Sequence, residues 1–308
     1  MQFLTEDEVA RLLTPADAVA AVEDSFRRLA AGTIENVPRY RVRLDGGVLA
    51  VMSAVDRERG LACVKTYAVT PEGMSFVVVL FEGGQTRAVI EADKLGQLRT
   101  GAASAVAAKY LARPDARTLG VIGCGKQART QVACIREVLP ALEQVVAYCR
   151  NEQHLGAFCR EVGAEPGESH RDPAAQDVVV TVTTSRDPVL RGEWLELGAL
   201  VCAAGANIPQ ARELDNAVLE RAAFVCCDSK EDARLESSDL IEPVAQGVLD
   251  WLEVHELGEV VAGEVVGRQA EEDVVVFKSN GLAAWDVAVG ALAVERARDR
   301  GVGRDLSA

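Results

Sequence analysis

Residues 119–129 read LGVIGCGKQAR. An apolar run of Leu119, Val121 and Ile122 meets Gly123-Cys124-Gly125 and continues as Lys126-Gln127-Ala128. A turn that cradles a dinucleotide pyrophosphate wants G-x-G-x-x-G/A after a strand and before a helix. The first glycine makes the tight turn, the second lets the backbone approach the phosphates, and the third small residue lets helix and strand pack closely. Gly123, Gly125 and Ala128 fill these three places. The helix start then offers backbone N–H groups and the positive end of a dipole to the diphosphate. A plain strand-to-helix loop can also carry glycines, so the flanking sequence has to decide.

After the turn, strand-like and helical stretches alternate. TLGVIG is a strand and 126–139 a helix; QVVAYCR is a strand and 152–162 a helix; DVVVTVT, ALVCAAG, AAFVCCD and VVVFKSNG are further strands. Continuous Val/Ala/Cys runs suit strands buried on both faces of a parallel sheet. The alternation predicts an α/β fold, a Rossmann doubly wound parallel sheet, over residues 113–285.

Before the turn the pattern differs. Thr5 with Glu8 three positions on forms a capping box, and Thr14-Pro15 restarts a second helix. RYRVRL, GVLAVMSAV, LACVKTYAV, SFVVVLFE and TRAVIEA are short β-rich runs split by Gly, Pro and Asp, the signal of an antiparallel sheet. Residues 98–112 are alanine-rich and helical. LAAWDVAVGALAVERARDR reads as a long amphipathic helix that packs back onto the N-terminal part. The division expected is an α+β domain of residues 1–112, joined by 286–308, and a dinucleotide-binding domain of 113–285.

The chain has 308 residues, 49% of them hydrophobic and 26% charged, with a formal net charge of −14. Phosphate backbones and anionic lipid repel such a surface, which argues against nucleic-acid and membrane partners. No stretch approaches the ~20 apolar residues of a membrane span. The opening MQFLTEDEVARLLT lacks a basic-then-apolar signal pattern and reads as a mature N-terminus. Eight cysteines are scattered without a C-x-x-C pair, and three histidines give no zinc-like spacing, so no metal is expected. The cysteines read as small buried thiols in a reducing cytoplasm.

At the end of the second strand, NAD-selective domains place an acid for the ribose hydroxyls, whereas an arginine suits the 2′-phosphate of NADP. Here the strand ends Cys149-Arg150-Asn151, with no acid. Arg150 favours NADP(H), with NAD(H) as the alternative.

The segment LRTGAASAVAAKYLARPDARTLGVIGCGKQAR (98–129) resembles the ornithine cyclodeaminase/μ-crystallin family, in which an R-T-x-A-x-S helix feeds a G-x-G-x-Q-A turn. LVCAAGANIPQARELD, CDSKEDARLESSDL and VFKSNGLAAWDVA agree with it in order. The resemblance implies a homodimer whose N-terminal domain, helped by the last helix, forms the dimer interface and the substrate pocket. It also implies a choice of chemistries: ornithine cyclodeamination with NAD, reduction of ketimines and cyclic imino acids, amino-acid dehydrogenation, or ligand binding of the μ-crystallin kind.

By that resemblance, Arg39, Lys65 and Arg99 surround the substrate carboxylate, and Lys65 and Asn207 carry the catalytic roles. Two-pronged arginines suit a carboxylate, and burial would lower the lysine's pKa enough for proton transfer. Without it, Arg39, Arg41 and Arg43 are an alternating solvent-facing row, and Lys65 an ordinary edge-strand lysine. The cofactor contacts implied are Ser75, Arg99, Gly123, Gly125, Lys126, Gln127, Ala128, Arg150, Asn151, Thr183, Cys202, Gly205 and Ser279. Ser279 could equally cap the last helix, and Asp286 reads as a packing or capping residue. Cyclodeaminases carry an Asp where Asn207 stands and a Glu where Ala50 stands. Neither replacement can act as a carboxylate, so the expected activity is NAD(P)H-dependent reduction of the C=N bond of a small imino acid.

Overall fold

In the computed structural model, which describes residues 1–306, the run before Gly123 is the strand Thr118–Ile122, and the helix Lys126–Val138 follows the turn. The strand lies inside an eight-stranded sheet in which every pairing is parallel. From Thr118–Ile122 the chain runs outward one way through Gln144–Tyr148 to Glu165–Pro166. It then returns to the other side as Val178–Thr181, Leu200–Ala203 and Val274–Lys278. The order therefore reverses between Thr118–Ile122 and Val178–Thr181, and ligands bind at such a switch point beyond the carboxyl ends of the strands. Strands Val178–Thr181, Leu200–Ala203 and Val274–Lys278 are buried at every position, as their uninterrupted apolar runs require.

The other sheet is antiparallel from Ile34–Leu44 through Gly47–Asp56, Leu61–Thr70 and Gly73–Glu82 to Gln85–Glu91. Gln2–Leu4 adds in parallel to Gln85–Glu91. The expected capping box at Thr5 is present, a second box stands at Thr14, and the two start the helices Glu6–Leu12 and Pro15–Ala30. The helix Ala283–Asp299 packs on this sheet and on Pro15–Ala30.

The chain divides into two units, Met1–Arg99 with Leu282 onward, and Thr100–Gly281. The boundaries differ from those expected at 112/113 and 285/286. The first falls inside the helix Asp93–Leu111, because residues from Thr100 on are alanine-rich and approach the Rossmann helix closely. A Cβ on Gly101 would lie 2.4 Å from the Thr130 carbonyl, and Gln131 donates to the Thr100 carbonyl at 3.4 Å. The last helix also differs from its amphipathic reading. Ala283 to Gly290 are buried on all sides, and exposed positions begin only further on.

Candidate active site

In the Thr100–Gly281 unit a cleft of about 510 Å³ opens at the switch point. Gly123, Gly125, Arg150, Asn151 and Thr183, all among the expected cofactor residues, line it. Gly123 has φ +109°, and a Cβ there would meet the Val182 carbonyl at 2.5 Å, so only glycine makes this turn without strain. Gly125 precedes the helix with no side-chain cap, and a Cβ on it would enter open space. The approach to the first turn of that helix is thus left open to a ligand. Ala128 is fully buried beneath the turn, the close packing expected of the third small residue. These features fit a dinucleotide.

Other expected cofactor residues lie elsewhere. Lys126 is exposed on the helix start, and Gln127 is beside it. Asn151, although in the lining, spends its side chain capping the helix Glu152–Val162, its Oδ1 accepting from the His154 N–H at 2.9 Å. Cys202 is fully buried, with its Sγ 3.9 Å from the Ser104 carbonyl. Ser75 belongs to the first unit, exposed near the start of Gly73–Glu82. Ser279 is buried and donates to Asp228 at 3.1 Å; the helix it was expected to cap starts at Ala283, behind Leu282, without a side-chain cap. Cys124 and Cys149, read as buried thiols, are half-buried in the cleft lining. His154 and His170 join Arg150 there, and burial with Arg150's charge lowers the His170 pKa.

A carboxylate that the sequence reading overlooked shapes this cleft. Glu213 is fully buried. Its Oε1 accepts from the Thr183 N–H at 2.7 Å and hydroxyl at 2.8 Å, and its Oε2 from the Gly205 N–H at 2.7 Å and the Ala206 N–H at 3.1 Å. It therefore clamps the loop after Val178–Thr181 to the loop after Leu200–Ala203. Burial raises its pKa against the opposing pull of Lys278. Lys278, also fully buried, donates to the Ala206 carbonyl at 2.6 Å and sits 3.1 Å from Asp239. Asp239 in turn accepts from the backbone of Glu213 and Leu214. Asn207 follows Ala206 and so takes its place from this clamp.

In the first unit, three cations gather. Arg39, Lys65 and Arg99 are 9%, 2% and 6% exposed, so none is a surface residue. Lys65 stands on Leu61–Thr70, a strand with neighbours on both sides. The Arg39 guanidinium lies 6.0 Å from the Tyr67 ring centre, and that of Arg99 5.4 Å from Trp285. Asp286 opposes them: its Oδ1 is 2.8 Å from the Lys65 ammonium and 3.6 Å from Arg99 Nε. Burial pushes Lys65 down to about 8, with Arg99 and Arg39 adding to the effect and Asp286 resisting it. A Cβ on Gly96 would come 3.1 Å from the ammonium, so the glycine leaves room for it. This cluster can grip a carboxylate and exchange a proton near neutral pH.

The family model for the ornithine cyclodeaminase/mu-crystallin family matches residues 1–301. The chain belongs to that family. Alanine dehydrogenase of Archaeoglobus fulgidus is 36% identical over 316 residues, covering 99% of this chain and 97% of the relative. The structure of Thermococcus litoralis Δ1-pyrroline-2-carboxylate reductase with NADH and L-proline superposes with a TM-score of 0.93 at 31% identity, covering 99% of this chain and all (100%) of the other. An archaeal alanine dehydrogenase dimer with bound NAD gives 0.92 at 34% identity, covering 99% and 98%.

The two positions that the resemblance links to cyclodeamination bear no carboxylate. Ala50 is fully buried on Gly47–Asp56, and Asn207 is half-buried. Asp286, which the sequence suggests as a packing or capping residue, faces Lys65 instead. A lone acid inside the apolar run LAAWDVAVGALA was its one signal, and Lys278 in VVVFK carries the same kind.

Proposed function

We propose that the protein reduces the C=N bond of a small imino acid with a nicotinamide cofactor, and runs in reverse as an amino-acid dehydrogenase. The observation that carries this reading is the buried set of Arg39, Lys65 and Arg99. Two permanent cations suit a carboxylate, and the third can give up its proton. A bound nicotinamide supplies a hydride in one direction and accepts one in the other. Lys65, when protonated, donates to the nitrogen during reduction; when neutral, it takes the proton from the amine during oxidation. Burial of the cluster keeps out the water that would hydrolyse an imine.

The test is a mixture of the protein with NADPH or NADH and either a preformed cyclic imino acid, or pyruvate or glyoxylate with ammonia or methylamine. Loss of reduced-cofactor absorbance with at least one of them is expected; none with any would sink the reading. Ornithine with NAD should release no ammonia, since Asn207 and Ala50 offer no carboxylate.

The state of Lys65 fixes the pH dependence. A lysine at about 8 is protonated below that value. The reductive rate should therefore fall as pH rises through about 8, and the oxidative rate should rise over the same interval. Rate profiles in both directions check this, and a pair of profiles without opposite slopes would contradict it.

NADP(H) is the favoured cofactor on the strength of Arg150, which lines the cleft where NAD-selective domains place an acid. The two solved relatives above hold NADH or NAD. Arg150→Ala should weaken NADPH binding about tenfold or more, as loss of a charge-assisted contact of roughly 1.5–3 kcal/mol implies, and leave NADH binding nearly unchanged. Fluorescence titration with each cofactor separates the outcomes.

Homodimerisation is part of the same proposal. The edge strand Ile34–Leu44 leaves Val37, Tyr40, Val42 and Leu44 between 40% and 71% exposed, and the archaeal relative is a dimer. All eight cysteines are thiols, which fits a reducing cytoplasm. Among the described residues, no helix is long and apolar enough to cross a membrane.

A further inference from the structure

We propose that Asp286 is a positioning residue of the active site: its carboxylate holds the Lys65 ammonium in place and keeps it charged for proton donation. This rests on the reading of Lys65 as the group that exchanges the proton.

Four ionisable side chains face the Lys65 ammonium from the elements around it: Arg39 on Ile34–Leu44, Arg99 on Asp93–Leu111, Asp286 on Ala283–Asp299, and Cys63 on its own strand. Two of these are cations and one is a thiol whose pKa burial raises, so it stays neutral. Asp286 is the one carboxylate in the group, and it is fully buried. Three cations gathered out of water repel one another and lose hydration, and a buried charge persists only when paired and hydrogen-bonded. The 2.8 Å contact meets that need directly. The 3.6 Å approach to Arg99 Nε, an atom without a hydrogen-bond partner, is an ion pair that also draws the guanidinium toward the lysine.

The carboxylate is itself fixed. The neighbouring Trp285 is fully buried, packed edge-on against Phe26 at 5.4 Å and beneath Arg99. At the start of the same helix, the Ala283 carbonyl accepts from Cys63 and the Ala284 N–H donates to Asn36. The helix is thus tied both to the lysine's own strand and to Ile34–Leu44, which holds Asp286 beside Lys65. One oxygen, Oδ2, is buried with no partner among the described residues. That is costly for stability alone, which favours a role at the site over a packing role.

Asp286→Asn keeps size and shape but removes the charge that resists the loss of the lysine's proton. The midpoint at which reduction is lost, about 8 in the wild type, should move down by about one unit or more. The rising limb of oxidation should move with it, while cofactor affinity in the other unit stays within about twofold. Asp286→Glu restores the charge and should return the midpoint close to the wild-type value at a reduced rate. A slower Asp286→Asn enzyme with an unmoved midpoint would show a structural role and overturn the proposal. If Asp286→Asn does not fold, a displaced midpoint in Asp286→Glu overturns it. Lys65→Arg separates this from the reading beneath it: arginine does not titrate here, so the limb near 8 should vanish. A limb that survives in Lys65→Arg refutes the role of Lys65, whatever Asp286 does.

Discussion

Replacing Lys65 with methionine should lower turnover in the reductive direction by about 10²- to 10⁴-fold, the range for loss of a positioned proton donor. Methionine fills similar volume without a charge or a proton. The cleft proposed for the cofactor is built from the Thr100–Gly281 unit, and Lys65 takes no part in its lining. Cofactor affinity should therefore stay within about twofold of the wild type. The substitution also leaves Asp286 without its 2.8 Å partner, although Arg99 remains at 3.6 Å. Steady-state kinetics with saturating cofactor, alongside a fluorescence titration of NADH or NADPH, measure both halves. Turnover within tenfold of wild type would remove Lys65 from the mechanism. Normal turnover with weakened cofactor binding would reassign it to the nucleotide.

The second large effect lies in the clamp. Glu213→Ala strips an acceptor from three backbone N–H groups and one hydroxyl. Breaking a buried charged network by removing one partner costs about 3–5 kcal/mol. At about 2–4 °C per kcal/mol for a domain of this size, the melting midpoint should fall by roughly 10 °C. Cofactor affinity should fall about tenfold or more, because Thr183 lines the cleft and would lose its anchor. Glu213→Gln should be nearly as damaging. An amide can match the Thr183 pair or the Gly205 and Ala206 pair, but it turns an NH₂ group toward the other two donors. Thermal denaturation with and without cofactor reads both effects. A Gln variant as stable as wild type would mean that Glu213 is held protonated and the clamp is not anionic.

The fold was legible because its signals are local. Unbroken apolar runs announced the parallel strands, and Thr5 and Thr14 announced their helices. The glycine turn was readable because the backbone there can be made by few residues: Gly123 at φ +109° has no ready substitute. The boundary inside Asp93–Leu111 was not legible, since an all-alanine face looks the same whichever partner it packs on. The site was half legible. Arg39, Lys65 and Arg99 came from the family resemblance, and spacing alone would have left Arg39 and Lys65 as ordinary strand residues. Glu213 was missed, and Asp286 was read only as a packing or capping residue, because a buried carboxylate leaves no periodic trace. Each looks like an ordinary acid, in AWDVA or ARELD, until the fold supplies the donors.

The first unit is interrupted: the chain leaves it after Arg99 and re-enters at Leu282. Lys65 and Asp286 are 221 residues apart in sequence and meet at 2.8 Å. During synthesis the lysine is made early and must wait for its counter-ion until nearly everything else has left the ribosome. Meanwhile the antiparallel sheet lacks the helix that covers it, and Trp285 is not yet there to cover Phe26. The interval of greatest risk to this protein is therefore a span of translation time, set by the length of the intervening unit. A pause placed between residues 99 and 282 should cost more soluble enzyme than the same pause within the first 99 residues.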